Sequence, residues 1–220
     1  DPKAYAPEGL TDAAEATPAQ MKALTAGLIR YARDVHVGRL SPGQFLDKWA
    51  LRPAPYNAAA DLAAALAQDR LKAWLDGLPP PYAGYYGLKA GLARYRQIAA
   101  DGGWRAVPAG PPLALGDKGP RVAALRARLA AEDPQAPADG GETFDKPLQA
   151  ALQRAQKRFG LNPDGVAGPA TLRELNQPVG QRILQILANM ERWRWLPPTM
   201  PATRVQVNSG AAIVTLFQDD

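Results

Sequence analysis

Arg182-Ile-Leu-Gln-Ile-Leu-Ala-Asn-Met-Glu-Arg-Trp-Arg-Trp-Leu-Pro-Pro198 is the most informative stretch of this chain. Ile183, Leu187 and Met190 recur at helical spacing, which predicts a helix over 182–195. Pro197 and Pro198 end it, because proline has no N–H to donate and clashes with the preceding turn. Arg192, Trp193, Arg194 and Trp195 crowd the helix end, a composition suited to an interdomain packing corner. Arg182, Arg192 and Arg194 have a second reading, as cations that grip carboxylates, since a guanidinium pairs with them in a planar fork. The expectation is that this helix packs back against helices near the N-terminus.

Those helices are legible upstream. Thr17-Pro18-Ala19-Gln20 fits a capping box with proline at the first helical position. Met21, Leu24, Leu28 and Tyr31 follow at helical spacing. Ser41-Pro42-Gly43-Gln44 repeats the start signal before Phe45, Leu46 and Trp49. An alanine-rich helix begins near Asn57 and carries Leu62 and Leu66. Pro79-Pro80-Pro81 breaks the chain. A further helix carries Tyr85, Leu88, Leu92, Tyr95 and Ile98, and ends at Asp101-Gly102-Gly103. Residues 105–112 read as a linker rich in proline and glycine.

Residues 113–176 read as a compact unit of three helices. Val122, Leu125 and Leu129 share one face of the first, and Leu148, Leu152 and Phe159 mark the second. Asn162-Pro163-Asp164-Gly165 is a turn, and Gly168-Pro169 opens a short third helix with Leu172 and Leu175. After residue 200 the period changes to two. Val205, Val207, Ile213, Val214, Leu216 and Phe217 predict two strands around Ser209-Gly210. The predicted fold is therefore mainly α, with a short β-hairpin near the C-terminus.

Composition removes several function classes. With no cysteine there is neither a disulfide framework nor a thiol nucleophile. His36 is the single histidine, so a zinc site needing four ligands is not expected, and no cofactor is indicated. Beside Val35 and Val37, His36 reads as a packing or capping residue. The formal charge is +5, but 13 Lys+Arg face 10 Asp+Glu in residues 1–110 and 13 face 11 in 111–220. That even spread argues against a nucleic-acid footprint, which gathers charge on one face. No apolar run approaches the roughly 18 to 20 residues of a membrane span. No secretory signal is visible after Asp1.

The pattern Leu113-x-x-Gly116-Asp117-x-Gly119, with Gly160-Leu161-x-x-Asp164-Gly165-x-x-Gly168-x-x-Thr171-Leu172, resembles a peptidoglycan-binding-1 domain. It departs at Ala155-Gln156, where that family has Phe-Gln; Phe159 is placed one turn away to fill the volume. Residues 182–198, Tyr31–Pro42 and Leu88–Trp104 resemble, in the same order, the scaffold of large Gram-negative L,D-transpeptidases whose catalytic domain is of the YkuD type. The resemblance implies residues 1–112 as scaffold and linker, 113–176 as an inserted peptidoglycan-binding module and 177–200 as a scaffold helix. Residues 201–220 would be the first strands of a catalytic domain whose cysteine lies outside this chain. It further implies a periplasmic protein whose signal peptide is absent from this chain, peptidoglycan as partner, and no transpeptidation by the chain itself. Two rivals are a free-standing wall-binding adaptor and a helical protein-interaction module. In the binding module, Asp164, Gly165, Gly168 and Thr171 are the candidate peptidoglycan contacts, with Gln156 and Arg158 on the adjoining helix. Backbone N–H groups at the helix start near Gly168 would favour an anionic or carbonyl-bearing ligand there.

Overall fold

The computed structural model describes residues 4–9, 16–40, 44, 52–208 and 213–218. The second expected helix start, Ser41 to Trp49, lies outside the described residues apart from Gln44. Among the described residues there are eight helices and one two-stranded sheet: α1 (Pro18–His36), α2 (Ala58–Ala67), α3 (Leu71–Asp76), α4 (Ala83–Ala100), α5 (Pro120–Glu132), α6 (Lys146–Arg158), α7 (Pro169–Leu175), α8 (Val179–Arg194), β1 (Arg204–Asn208) and β2 (Ile213–Phe217). The mainly helical class with a terminal hairpin is thus observed.

The chain forms two compact units. Unit 1 is discontinuous, comprising residues 1–90 and 187–201, and unit 2 comprises residues 91–186 and 202–220. The boundaries fall inside α4 and α8, so each of these helices contributes residues to both units.

In unit 1, α1 starts as expected. Thr17 Oγ1 accepts from the Gln20 N–H, and Gln20 Oε1 accepts from the Thr17 N–H at 3.0 Å. The buried face of α1 differs from the expected leucine stripe. Met21 is exposed, while Gly27 and Ala32 are buried and Ile29, Tyr31 and Val35 pack beside Ala58 and Leu78. The small residues explain the difference. At Gly27 the backbone of Tyr5 fills the place a side chain would take, and the Tyr5 hydroxyl donates to Asp34 at 2.8 Å. Asn57 caps α2 through a bond from Ala60 N–H to Oδ1 of 3.1 Å. On α2, Leu62 is buried but Leu66 is exposed. The one-and-a-half-turn α3 has no side-chain cap, and no pattern predicted it.

Unit 2 has a larger core. Val122, Leu125 and Leu129 of α5 meet Leu148, Leu152 and Ala155 of α6, and Leu172 and Leu175 of α7. Phe144 joins them, and Phe159 packs against the cluster at its edge. Val107, in the expected linker, belongs to this core too. Asn176 binds it on both sides: Oδ1 accepts from the Val107 N–H at 2.8 Å and Nδ2 donates to its carbonyl at 3.0 Å. Leu113 and Ala167 form an antiparallel bridge that ties the entry of the module to the loop before α7. The hairpin pairs β1 and β2 antiparallel, with Val205 opposite Leu216 and Val207 opposite Val214.

Candidate functional site

Gln156 is the centre of the loop that carries the expected contacts. It projects from α6 and is 1% exposed. Its Nε2 donates toward Asp164 Oδ1 at 2.8 Å, the Val166 carbonyl at 3.0 Å and Thr171 Oγ1 at 3.1 Å. Its Oε1 accepts from the Gly165 N–H at 2.9 Å. One buried amide therefore holds the turn and the first turn of α7 together; both its N–H donors are committed, and burial keeps it away from a ligand. Gly165 sits at φ +72°, and a side chain there would also meet Gln149. Asp164 accepts again on Oδ1, from the Val166 N–H at 2.9 Å. That bond, then the one from Gln156, holds the Asp164 carboxyl below the usual carboxylate range. Because Asp164 is exposed and both bonds use Oδ1, Oδ2 is the atom through which it could meet a ligand.

The structure thus brings Gln156, Asp164, Gly165 and Thr171 together, but as a mutually bonded turn. Gly168 caps α7, yet its N–H goes to the Val166 carbonyl at 2.9 Å and Pro169 has none. The expected set of free helix-start donors is accordingly reduced. Arg158 is directed elsewhere, 3.4 Å from Glu132.

That Glu132 belongs to a buried polar cluster that sequence patterning missed, since arginine and glutamate normally mark a solvated face. Arg128, with a fully buried side chain, pairs with Glu132 at 2.8 Å and donates from Nε to the Leu175 carbonyl at 2.5 Å. Its guanidinium carbon lies 3.8 Å from the centre of the Trp104 ring, a cation–π contact, and its Nη2 has no hydrogen-bond partner. Tyr95 donates its hydroxyl to Glu132 at 2.8 Å, and Arg94 donates to the Glu132 carbonyl. Burial, reinforced by Glu132, pushes the Tyr95 phenol up to about 12. Burial also lowers the Arg128 pKa against the pull of Glu132. This cluster fixes the end of α4 and Trp104 against α5 and α7. The same unit contains Arg182, which pairs with Glu174 at 3.0 Å and covers the Phe159 ring at 4.7 Å.

The Trp-Arg segment is embedded in unit 1. Arg194 donates to the Val35 carbonyl at 3.0 Å and the Tyr85 hydroxyl at 3.0 Å, and pairs with Glu191 at 2.8 Å. Glu191 in turn accepts the Arg39 N–H at 3.1 Å. Trp193 packs on Tyr82, ring centres 5.2 Å apart, and against Gly84. Tyr82 donates to the Pro197 carbonyl. The second half of α8 therefore does reach the N-terminal helices, with Met190 and Trp195 buried, while Leu187 is exposed. Arg192 takes no part; it is exposed and bonds Asn189 one turn back.

Among the described residues no group of three or more His, Asp or Glu could hold a metal ion, and no helix is long and apolar enough to cross a membrane. His36 Nδ1 lies 3.0 Å from the Leu78 carbonyl and the ring stacks on Tyr56 with centres 4.4 Å apart.

Comparison with known families gives two matches. Residues 1–92 match the family described as Scaffold domain. Residues 118–175 match the family described as Putative peptidoglycan binding domain. No curated protein matches the chain. The chain therefore contains a scaffold domain followed by a peptidoglycan-binding domain, and the second match coincides with α5 to α7 and the Gln156-centred turn.

Proposed function

We propose that this chain is the wall-binding, non-catalytic part of a peptidoglycan L,D-transpeptidase of the YkuD type, acting in the periplasm of a Gram-negative bacterium. The observation that carries the wall-binding half is the family match over 118–175, laid on a module with its own closed core. The transpeptidase half rests on the resemblance of residues 182–198 and of the scaffold segments, and the scaffold match over 1–92 agrees with it. Val205, Val207, Val214 and Leu216 are more than half exposed, which suits a hairpin that further strands of a catalytic domain would cover. In such an enzyme a cysteine thiolate attacks the stem peptide, and this chain has no cysteine to supply it. Mass spectrometry after incubation with a carbapenem is expected to show the unmodified chain; an acyl adduct would refute the assignment of chemistry to another domain.

The peptidoglycan-contacting surface is placed at the exposed side of the turn, with Asp164 as the contact and Gln156, Gly165 and Thr171 as its support. Arg158 and Gly168 are secondary, for the reasons of geometry given above. The test is co-sedimentation with purified sacculi. Asp164→Asn keeps the Oδ1 acceptor that holds the turn while removing the charge, so folding should be retained. Retention of the original chain and at least several-fold weaker retention of the variant are expected. Equal retention of both removes Asp164 from the site. Retention of neither favours the second reading, a module that serves as a spacer or protein-interaction element; the buried, committed Gln156 amide is the observation that favours it.

A further inference from the structure

Two helices run from one compact unit into the other. In α4 the crossing falls between Ala90 and Gly91, and in α8 between Ile186 and Leu187. Each helix is anchored within its own unit on either side of the crossing. On α4, Tyr85 is buried and its hydroxyl accepts from Arg194 at 3.0 Å, while Leu92 is buried and Tyr95 donates to Glu132 at 2.8 Å. On α8, Arg182 pairs with Glu174 at 3.0 Å, while Met190 is buried and Arg194 donates to the Val35 carbonyl at 3.0 Å. Between these anchors the helices are bare. No residue of α4 from 86 to 91 is buried, and none of α8 before Met190. A helix segment with few buried contacts opens at a lower free energy than the core beside it.

The glycines of α4 coincide with its bare segment. The helix carries Gly84, Gly87 and Gly91. Packing explains Gly84, where a side chain would collide with the Trp193 ring. It explains neither Gly87 nor Gly91, since an added Cβ would meet nothing within 4 Å at either position. Alanine would fit both places. Each glycine leaves the helix roughly four- to five-fold easier to open than alanine would. The two lie one turn apart on the same face and straddle the crossing. Glycine is one of the few residue types at which helices kink sharply. Residues 183–189 of α8 include neither glycine nor proline, so α4 is the softer crossing.

We propose that residues 86–91 of α4 and 183–189 of α8 form a hinge at which the two helices bend while the core of either unit stays closed. Gly87 and Gly91 are its soft element. The hinge lets unit 2, which contains the peptidoglycan-binding match, reorient as a body. It is independent of the Asp164 surface and of whether the module binds sacculi.

The experiment measures amide hydrogen exchange and residual dipolar couplings on the full, isotope-labelled chain. Amides 88–92 of α4 and 185–189 of α8 are expected to exchange at least about ten-fold faster than amides 150–156 of α6. The couplings of each unit should fit one alignment tensor, with different magnitudes for the two units. The double variant Gly87→Ala, Gly91→Ala should slow exchange of amides 88–92 by roughly twenty-fold. It should also bring the two alignment magnitudes together, with a melting temperature no lower than that of the original chain. Amides 88–92 as well protected as those of α6 overturn the hinge. Alignment of equal magnitude in both units of the original chain also overturns it, because the helices would then open without bending. Exchange unchanged by the two alanines overturns the role of Gly87 and Gly91.

Discussion

Gly38 shows how one residue constrains its unit. It sits at φ +101°, and a side chain there would collide with the Glu191 carboxylate. That carboxylate is the hub for Arg194 and the Arg39 N–H. Gly38→Ala therefore combines backbone strain of about 1–2 kcal/mol with displacement of the hub. A lowered melting temperature is expected, with Gly87→Ala as the contrast. Gly87 lies within α4 and has no atom close to where a side chain would go, so alanine should stabilise by about 0.5–1 kcal/mol. Thermal melts of the two variants moving in the same direction would contradict this account. Tyr95 makes a second prediction at this scale. Its pKa is raised to about 12 in the fold against about 10 when unfolded. A raised phenol favours folding below pH 10, and that contribution is lost as pH climbs toward 12. Stability should fall across that window in the original chain, and the fall should be shallower in Tyr95→Phe. Identical alkaline profiles would sink the argument.

At the scale of elements, the turn between α6 and α7 depends on one amide, and Gln156→Glu isolates it. The shape is kept, but a carboxylate would face Asp164 and the Val166 carbonyl in place of a donor. Leaving a buried charge against acceptors costs about 3–5 kcal/mol. Protonation of the new side chain at low pH restores a donor, so the variant should regain stability near pH 4 and lose it toward neutrality. Melting curves at the two pH values check this, and a loss independent of pH would mean that volume, not hydrogen bonding, is what Gln156 supplies. Elements with local signals were legible: the Thr17 capping box, the proline start of α7, and the leucines of α5 and α6. The helix α3 was not, because six residues without a cap carry no period. Nor was the rotation of the α1 core face toward Ala32, since small residues bury by close approach and leave no hydrophobic stripe. Of the candidate site, the turn residues were legible as a group because turn chemistry is local. That Gln156 is consumed in holding them depends on contacts eight to fifteen positions away.

At the scale of the whole molecule, what patterning misses is long-range. Arginine and glutamate normally mark a solvated face, and only the arrival of Tyr95, Trp104 and the Leu175 carbonyl makes Arg128 and Glu132 core. In unit 1 a proline-walled cleft likewise exists only because segments near 36, 53, 80 and 196 converge. The hairpin is the opposite case, fully legible as strands yet isolated in its apolar exposure. Cross-strand partners share a face, so Val205, Leu216, Val207 and Val214 form one apolar surface, each more than half exposed. Exposed aliphatic surface of this kind drives association. Val205→Lys with Leu216→Glu places opposite charges directly across the strands, a pairing worth roughly 0.2–1 kcal/mol in place of the apolar contact. The double variant should therefore melt within about 0.5 kcal/mol of the original chain. It should also show less concentration-dependent self-association in light scattering. A drop of several degrees in melting temperature would mean that this face is covered within the folded chain. Unchanged self-association would mean that the hairpin is not the sticky surface.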